Sequence, residues 1–146
     1  MDPITAIGFA ANILSFIDYS AKVISTTIEI YESASGNTQD GQNSETIATE
    51  MRAFVAKLQP PDKSQLSGEE KALCNLGAEC EGLAKRILDL VDKFKPKNRK
   101  SKGSSLVASL VAGLKTKFYE GERRQLEEQL SHCRAQIDLQ LGFLTR

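Results

Sequence analysis

The chain has 146 residues, 40% of them apolar and 26% charged, which fits one folded domain and excludes a disordered segment. Nineteen bases balance nineteen acids, so bulk charge points to no nucleic-acid partner. The charges are unevenly spread. Residues 1–50 carry seven acids against Lys22 alone, whereas residues 51–100 carry eleven bases against seven acids. Three cysteines without a framework spacing read as free thiols of a reducing compartment.

Asp2-Pro3 is a helix-start signal, because the acid caps free amides and proline supplies the right φ at the first helical position. From there a helix is expected over residues 3–34. Its first half, Ile4 to Ile17, contains no charge, and a helix apolar on all sides needs protein or lipid around it. Those fourteen residues give about 21 Å, short of a ~30 Å hydrocarbon core unless the segment extends toward Lys22. No run reaches 18 apolar residues, so no permanent span is expected. The acidic N-terminus, with Gly8 and Asn12 in the apolar run, does not suit a secretory signal.

Ser35 to Asn43 is polar and glycine-punctuated, and reads as a loop. Ser44 then caps a short helix on which Ile47, Met51, Phe54, Val55 and Leu58 recur at helical spacing before Pro60-Pro61 stops it. Ser67 and Glu70 form a capping box. A third helix follows, with Leu73, Leu76, Cys80, Leu83, Ile87, Leu90 and Phe94 forming a seam at three- and four-residue steps. Residues 95–105 form a basic loop with Lys95, Lys97, Arg99, Lys100 and Lys102 and no acid. Leu106 to Leu114 predicts one short apolar helix, with Gly121 as a bend before a last helix over residues 120–143. The expected fold is all-α: an antiparallel bundle with a long first helix, two further long or medium helices and one or two short ones.

Catalysis is not expected. His132, the one histidine, is adjacent to Cys133 on a helix, so the two leave on different faces. No phosphate-cradling glycine loop, H-E-x-x-H or C-x-x-C spacing occurs, so neither metal nor cofactor is expected.

Several stretches resemble one family. The opening Met-Asp-Pro-Ile-Thr-Ala-Ile-Gly, then Ile-Asp-Tyr-Ser-Ala-Lys-Val-Ile and Ile-Tyr-Glu-Ser-Ala-Ser-Gly, is similar to the start of fungal STAND proteins of the NOD-like receptor type. Their N-terminal domain is called HeLo-like. Leu83 to Val91 with the basic Arg99-Lys100-Ser101-Lys102 loop, and Leu126 to Leu141, resemble that domain's third and closing helices. The usual aromatic-basic stretch before the last helix appears here as Leu114 to Glu120 without tryptophan, which leaves its packing open.

The resemblance implies a membrane-targeting, pore-forming effector of programmed cell death, cytoplasmic at rest and at the plasma membrane once active. Activation would come through self-association, driven by an attached receptor or an amyloid-signalling partner, and would expose the first helix. On that reading Ile4, Ile7, Phe9, Ile13, Leu14, Phe16 and Ile17 insert, and Asp18 is the acid at the membrane boundary or pore lumen. Lys95, Lys97, Arg99, Lys100 and Lys102 would meet anionic lipid, each contributing about 1 kcal/mol near the surface. The alternative is a non-lytic helical module that binds a partner or holds an attached receptor inactive. In receptors of the resembled type nucleotide-binding and repeat domains follow, so the resemblance implies that the chain is an excised N-terminal module.

Overall fold

In a computed structural model the backbone of residues 3–33, 38–59, 68–93 and 105–145 is described, with side chains for 3–26, 45–59, 68–93, 114 and 117–145. All four elements are helices, and no strand occurs among the described residues: α1 (Pro3–Ser33), α2 (Thr38–Lys57), α3 (Gly68–Lys93) and α4 (Ser105–Leu144). The helix start at Pro3 and the end of α3 before Pro96 fall where the proline chemistry puts them.

Two boundaries differ from expectation. Helix α2 begins at Thr38, ahead of Ser44, so residues 38–43 are helical rather than loop. Gln, Asp and Asn cost only tenths of a kcal/mol in a helix and one glycine about 1 kcal/mol, which a packed helix downstream readily offsets. Helix α4 is continuous for 40 residues, so the expected short helix and the bend at Gly121 merge into one element. No proline interrupts that stretch, and a Cβ at Gly121 would meet nothing within 4 Å, so this glycine neither ends the helix nor marks a close approach.

Helix α1 packs against each of the other three. Helix α3 also meets α2 and α4, whereas α2 and α4 do not meet among the described residues. The core therefore lies around α1 and α3. From α1 it takes Phe9, Ile13, Phe16, Ile17, Val23 and Ile24. From α3 come Leu73, Leu76, Cys80, Leu83, Ile87 and Leu90, six of the seven seam positions read from the sequence. Phe94, the seventh, lies outside the described residues. Met51 and Leu58 close the core from the α2 side, and Leu126, Leu130, Cys133 and Ile137 from α4.

Three contacts fix how α1 is seated. The Tyr119 hydroxyl donates to the Ile24 carbonyl, and Tyr119 is the largest fully buried side chain. This answers the packing question left open by the missing tryptophan: tyrosine buries its ring and satisfies its one polar atom on the backbone of α1. Tyr19 stacks on Phe54 of α2, ring centroids 4.9 Å apart at 30°. Phe9 fills a notch at Gly77 of α3, where a Cβ would stand 2.9 Å from its Cζ and 3.2 Å from the Leu58 carbonyl oxygen. Only a residue without a side chain admits the ring that closely.

Candidate functional site

The seven apolar residues assigned to insertion do not share one environment. Phe9, Ile13, Phe16 and Ile17 are buried in the core, and Leu14 is half-buried against it. Ile4 is 84% exposed and Ile7 38% exposed. The helix is apolar on both faces, but the outer face is built from small residues. Gly8, Ala11, Ser15 and Ala21 are exposed there, between Ile4 and Ile7 at one end and Asp18 and Lys22 toward the other. Beyond its tip, a helix uncharged through its first half therefore meets water mainly through side chains too small to present much apolar surface.

The helical segment that satisfies the length and hydropathy requirements of a membrane span is longer than residues 4–17. It runs Pro3–Thr26, 24 residues whose most apolar window has a mean hydropathy of 1.3, with 39% of that window buried in the fold. At 1.5 Å per residue this is about 36 Å, enough to cross a ~30 Å hydrocarbon core. Length, which the apolar run alone left short, is not limiting once Asp18 and Lys22 are included. A core helix of a water-soluble bundle satisfies the same requirements, so length and hydropathy alone do not assign α1 to lipid.

Two hydroxyls of α1 are satisfied within the helix itself, while the buried Ser20 hydroxyl has no partner among the described residues. The Ser25 hydroxyl donates to the Lys22 carbonyl at 2.9 Å and the Thr26 hydroxyl to the same oxygen at 3.0 Å. Hydroxyls satisfied inside their own helix need no water. Asp18 forms an ion pair with Arg134 of α4, with 61% of the Asp18 side chain and 44% of the Arg134 side chain exposed. An exposed pair of this kind contributes about 0–1 kcal/mol and weakens with salt. Tyr19 is a strongly perturbed titratable group on α1. Burial, and then the Glu50 carboxylate facing it, push its phenol above the ordinary tyrosine range. Its hydroxyl has no hydrogen-bond partner of good geometry.

The energy that holds α1 in place is apolar. Phe9, Ile13, Phe16, Ile17, Val23 and Ile24 are all at most 4% exposed. At about 1.5–3 kcal/mol per fully buried large side chain, they represent roughly 9–18 kcal/mol as an upper estimate. A domain is stable by only about 5–15 kcal/mol in total. Withdrawing α1 into water is thus equivalent to unfolding the domain, whereas withdrawing it into an apolar phase returns most of that energy.

The basic loop with Lys95, Lys97, Arg99, Lys100 and Lys102 lies outside the described residues, as does Ser67 of the expected capping box. His132 is exposed and Cys133 buried, and among the described residues no three His, Cys, Asp or Glu side chains converge as a metal site. Sequence reasoning did not single out Arg134, Gly77 or Tyr119, the residues that seat α1. Gly77 had a faint signal, one glycine beside the seam of a helix otherwise lined with leucines. Arg134 had none, since its pairing with Asp18 is a long-range contact. No protein-family model, curated protein or solved structure matches the chain.

Proposed function

We propose that this chain is a HeLo-like execution domain of programmed cell death: an antiparallel helical bundle that stores α1 and, on self-association, delivers it into an anionic membrane. The observation that carries the reading is the two-sided character of Pro3–Thr26, long and apolar enough to span, buried along one face, and tipped by the exposed Ile4 and Ile7. The antiparallel arrangement draws support from two pairs of contacts. Asp18 meets Arg134 while Ile24 meets Tyr119, and Glu79 meets Cys133 while Arg86 meets Gln129 and Glu122, so α1 and α3 each run opposite to α4.

On this reading Ile4 and Ile7 touch lipid first, the buried Phe9, Ile13, Phe16 and Ile17 with Leu14 follow, and Asp18 exchanges Arg134 for Lys22. Those two residues are four apart with the acid first, the favourable order for a helix pair, and pairing lowers the cost of a charge at membrane depth. Lys95, Lys97, Arg99, Lys100 and Lys102 recruit the domain to anionic lipid. The protein is cytoplasmic at rest and at the plasma membrane when active, under an upstream NOD-like receptor or amyloid-signalling partner, and has no catalytic role.

The extent of α1 burial favours a second reading, a non-lytic interaction module whose first helix never leaves the core. Vesicle leakage separates the two. Dye-loaded phosphatidylserine vesicles leak on addition of the wild-type chain, and the Ile4→Glu/Ile7→Glu variant, altered only at exposed positions, folds normally but fails to release dye. Absence of leakage by wild type and by a variant with loosened α1, such as Gly77→Val, favours the interaction module.

A further inference from the structure

Beyond α1, the structure holds a feature that membrane insertion does not use: two buried thiols set against each other between α3 and α4. None of the three cysteines is in a disulfide, with Cys80 and Cys133 buried and Cys74 half-buried. Contacts at the pair and to one side of it set the register of the two helices. Arg86 donates to Gln129 at 2.7 Å and pairs with Glu122 at 3.5 Å, and seven residues earlier on α3 the Cys133 thiol donates to Glu79 at 3.7 Å. Cys80 follows Glu79, is fully buried, and its thiol is within hydrogen-bond reach of Cys133. Helices packed 8–10 Å apart, each with Cα atoms about 2.3 Å from its axis, leave roughly 3–5 Å between directly facing Cα atoms. The upper part of that range overlaps the ~4.4–6.8 Å that a disulfide requires.

The pair has a route to solvent. A cleft of about 260 Å³ opens between α3 and α4, with Gly82 and Leu83 on one side, Gln129 and His132 on the other, and Cys133 its most buried lining residue. A small polar solute the size of a few waters, each about 30 Å³, has room there. The two thiols hydrogen-bond to each other, and that bond, followed by burial, raises the Cys80 thiol. Cys133 is the sulfur that lines the cleft, and Cys80 lies behind it in the core.

We propose that Cys133 is a peroxide-reactive thiol and Cys80 its resolving partner, so that hydrogen peroxide joins α3 to α4 by a disulfide. The Cys133 thiolate attacks one peroxide oxygen, the O–O bond breaks, and the departing hydroxide takes a proton and leaves as water, giving a sulfenic acid on Cys133. The Cys80 sulfur then attacks the Cys133 sulfur. The S–O bond breaks, the hydroxyl leaves as water with the Cys80 proton, and the S–S bond forms. Two thiols lose two hydrogens and one peroxide becomes two waters. The bond leaves α1 untethered, so the modification is independent of the membrane reading.

The test treats the reduced 146-residue chain with hydrogen peroxide, followed by intact mass and tryptic mapping under non-reducing conditions. Wild type and Cys74→Ser are expected to lose the mass of two hydrogens while monomeric and to yield peptide 72–85 bonded to peptide 125–134. Cys80→Ala is expected to lose that bond and to carry instead, at Cys133, the adduct of a 1,3-dione sulfenic-acid probe. The proposal fails if wild type, folded by circular dichroism, gives no such peptide or only disulfides between chains. It fails equally if Cys80→Ala retains the bond. The wild-type mapping needs no variant, so a folding defect in Cys80→Ala does not shelter the idea.

Discussion

Gly77 offers a sharp perturbation of the seat of α1, because two opposing effects of one methyl group can be weighed. Replacing glycine by alanine inside an exposed helix gains about 1 kcal/mol of helix propensity. At Gly77 the new Cβ would stand 2.9 Å from the Phe9 Cζ and 3.2 Å from the Leu58 carbonyl oxygen. The ring can retreat only into a core already closed around it, and the carbonyl belongs to the backbone just past α2, so it yields little. Overpacking of this kind costs about 1–3 kcal/mol. The net expectation is a loss of about 1 kcal/mol for Gly77→Ala and a larger one for Gly77→Val. Gly82, on the same helix, is the control, since a Cβ there meets nothing within 4 Å. Gly82→Ala should gain about 1 kcal/mol from propensity alone. The two alanine variants therefore move in opposite directions in urea denaturation followed by circular dichroism. Adding Phe9→Leu to Gly77→Ala should recover part of the loss, with a coupling of at least about 0.5 kcal/mol. If Gly77→Ala stabilises the chain as Gly82→Ala does, Phe9 does not occupy the notch and the described seat of α1 is wrong.

Three further outcomes follow from the same contacts. Tyr119→Phe keeps the buried ring but removes the donor to the Ile24 carbonyl, and should cost about 0.5–1.5 kcal/mol in denaturant titration. Arg134→Glu opposes Asp18 with a like charge on an exposed surface, so stability should fall by less than about 1 kcal/mol at low salt and by almost nothing at 1 M salt. The charge-swapped Asp18→Arg/Arg134→Asp should recover it. The Tyr19 phenol holds its proton more tightly folded than unfolded, so its contribution is complete below about pH 10 and is lost as pH rises beyond that. Tyr19→Phe should flatten the alkaline fall of the unfolding midpoint, and an unchanged slope would remove Tyr19 as its cause.

The seam of α3 was legible over Leu73 to Leu90, because leucines at three- and four-residue steps admit one buried face, and those residues occupy it. The start of α1 was legible for a different reason, the local chemistry of Pro3. The boundaries that sequence missed, at Thr38 and Gly121, are those where glycine was read as punctuation, while the helix continues because the cost of one glycine is small. Within α1 the division between lipid-ready tip and buried body was not legible. Ile4 and Ile13 are the same residue type in the same helix, and what exposes one and buries the other is where the surrounding helices pack. The same holds for Asp18, whose partner Arg134 is brought to it by α4 and not by any pattern near it.

The central claim is that α1 leaves the bundle for lipid, and the absence of tryptophan from the chain gives it a clean reporter. Tryptophan placed at Ile4 or at Ser15, both exposed, should leave the fold intact and emit at the aqueous maximum in buffer. With phosphatidylserine vesicles added, in the wild-type background and with Gly77→Val to loosen α1, both positions should shift to shorter wavelength and be quenched by bromine on the lipid chains. Emission from Ser15→Trp that stays aqueous and unquenched in both backgrounds would mean that the body of α1 remains in the bundle, and the stored-segment account would be wrong.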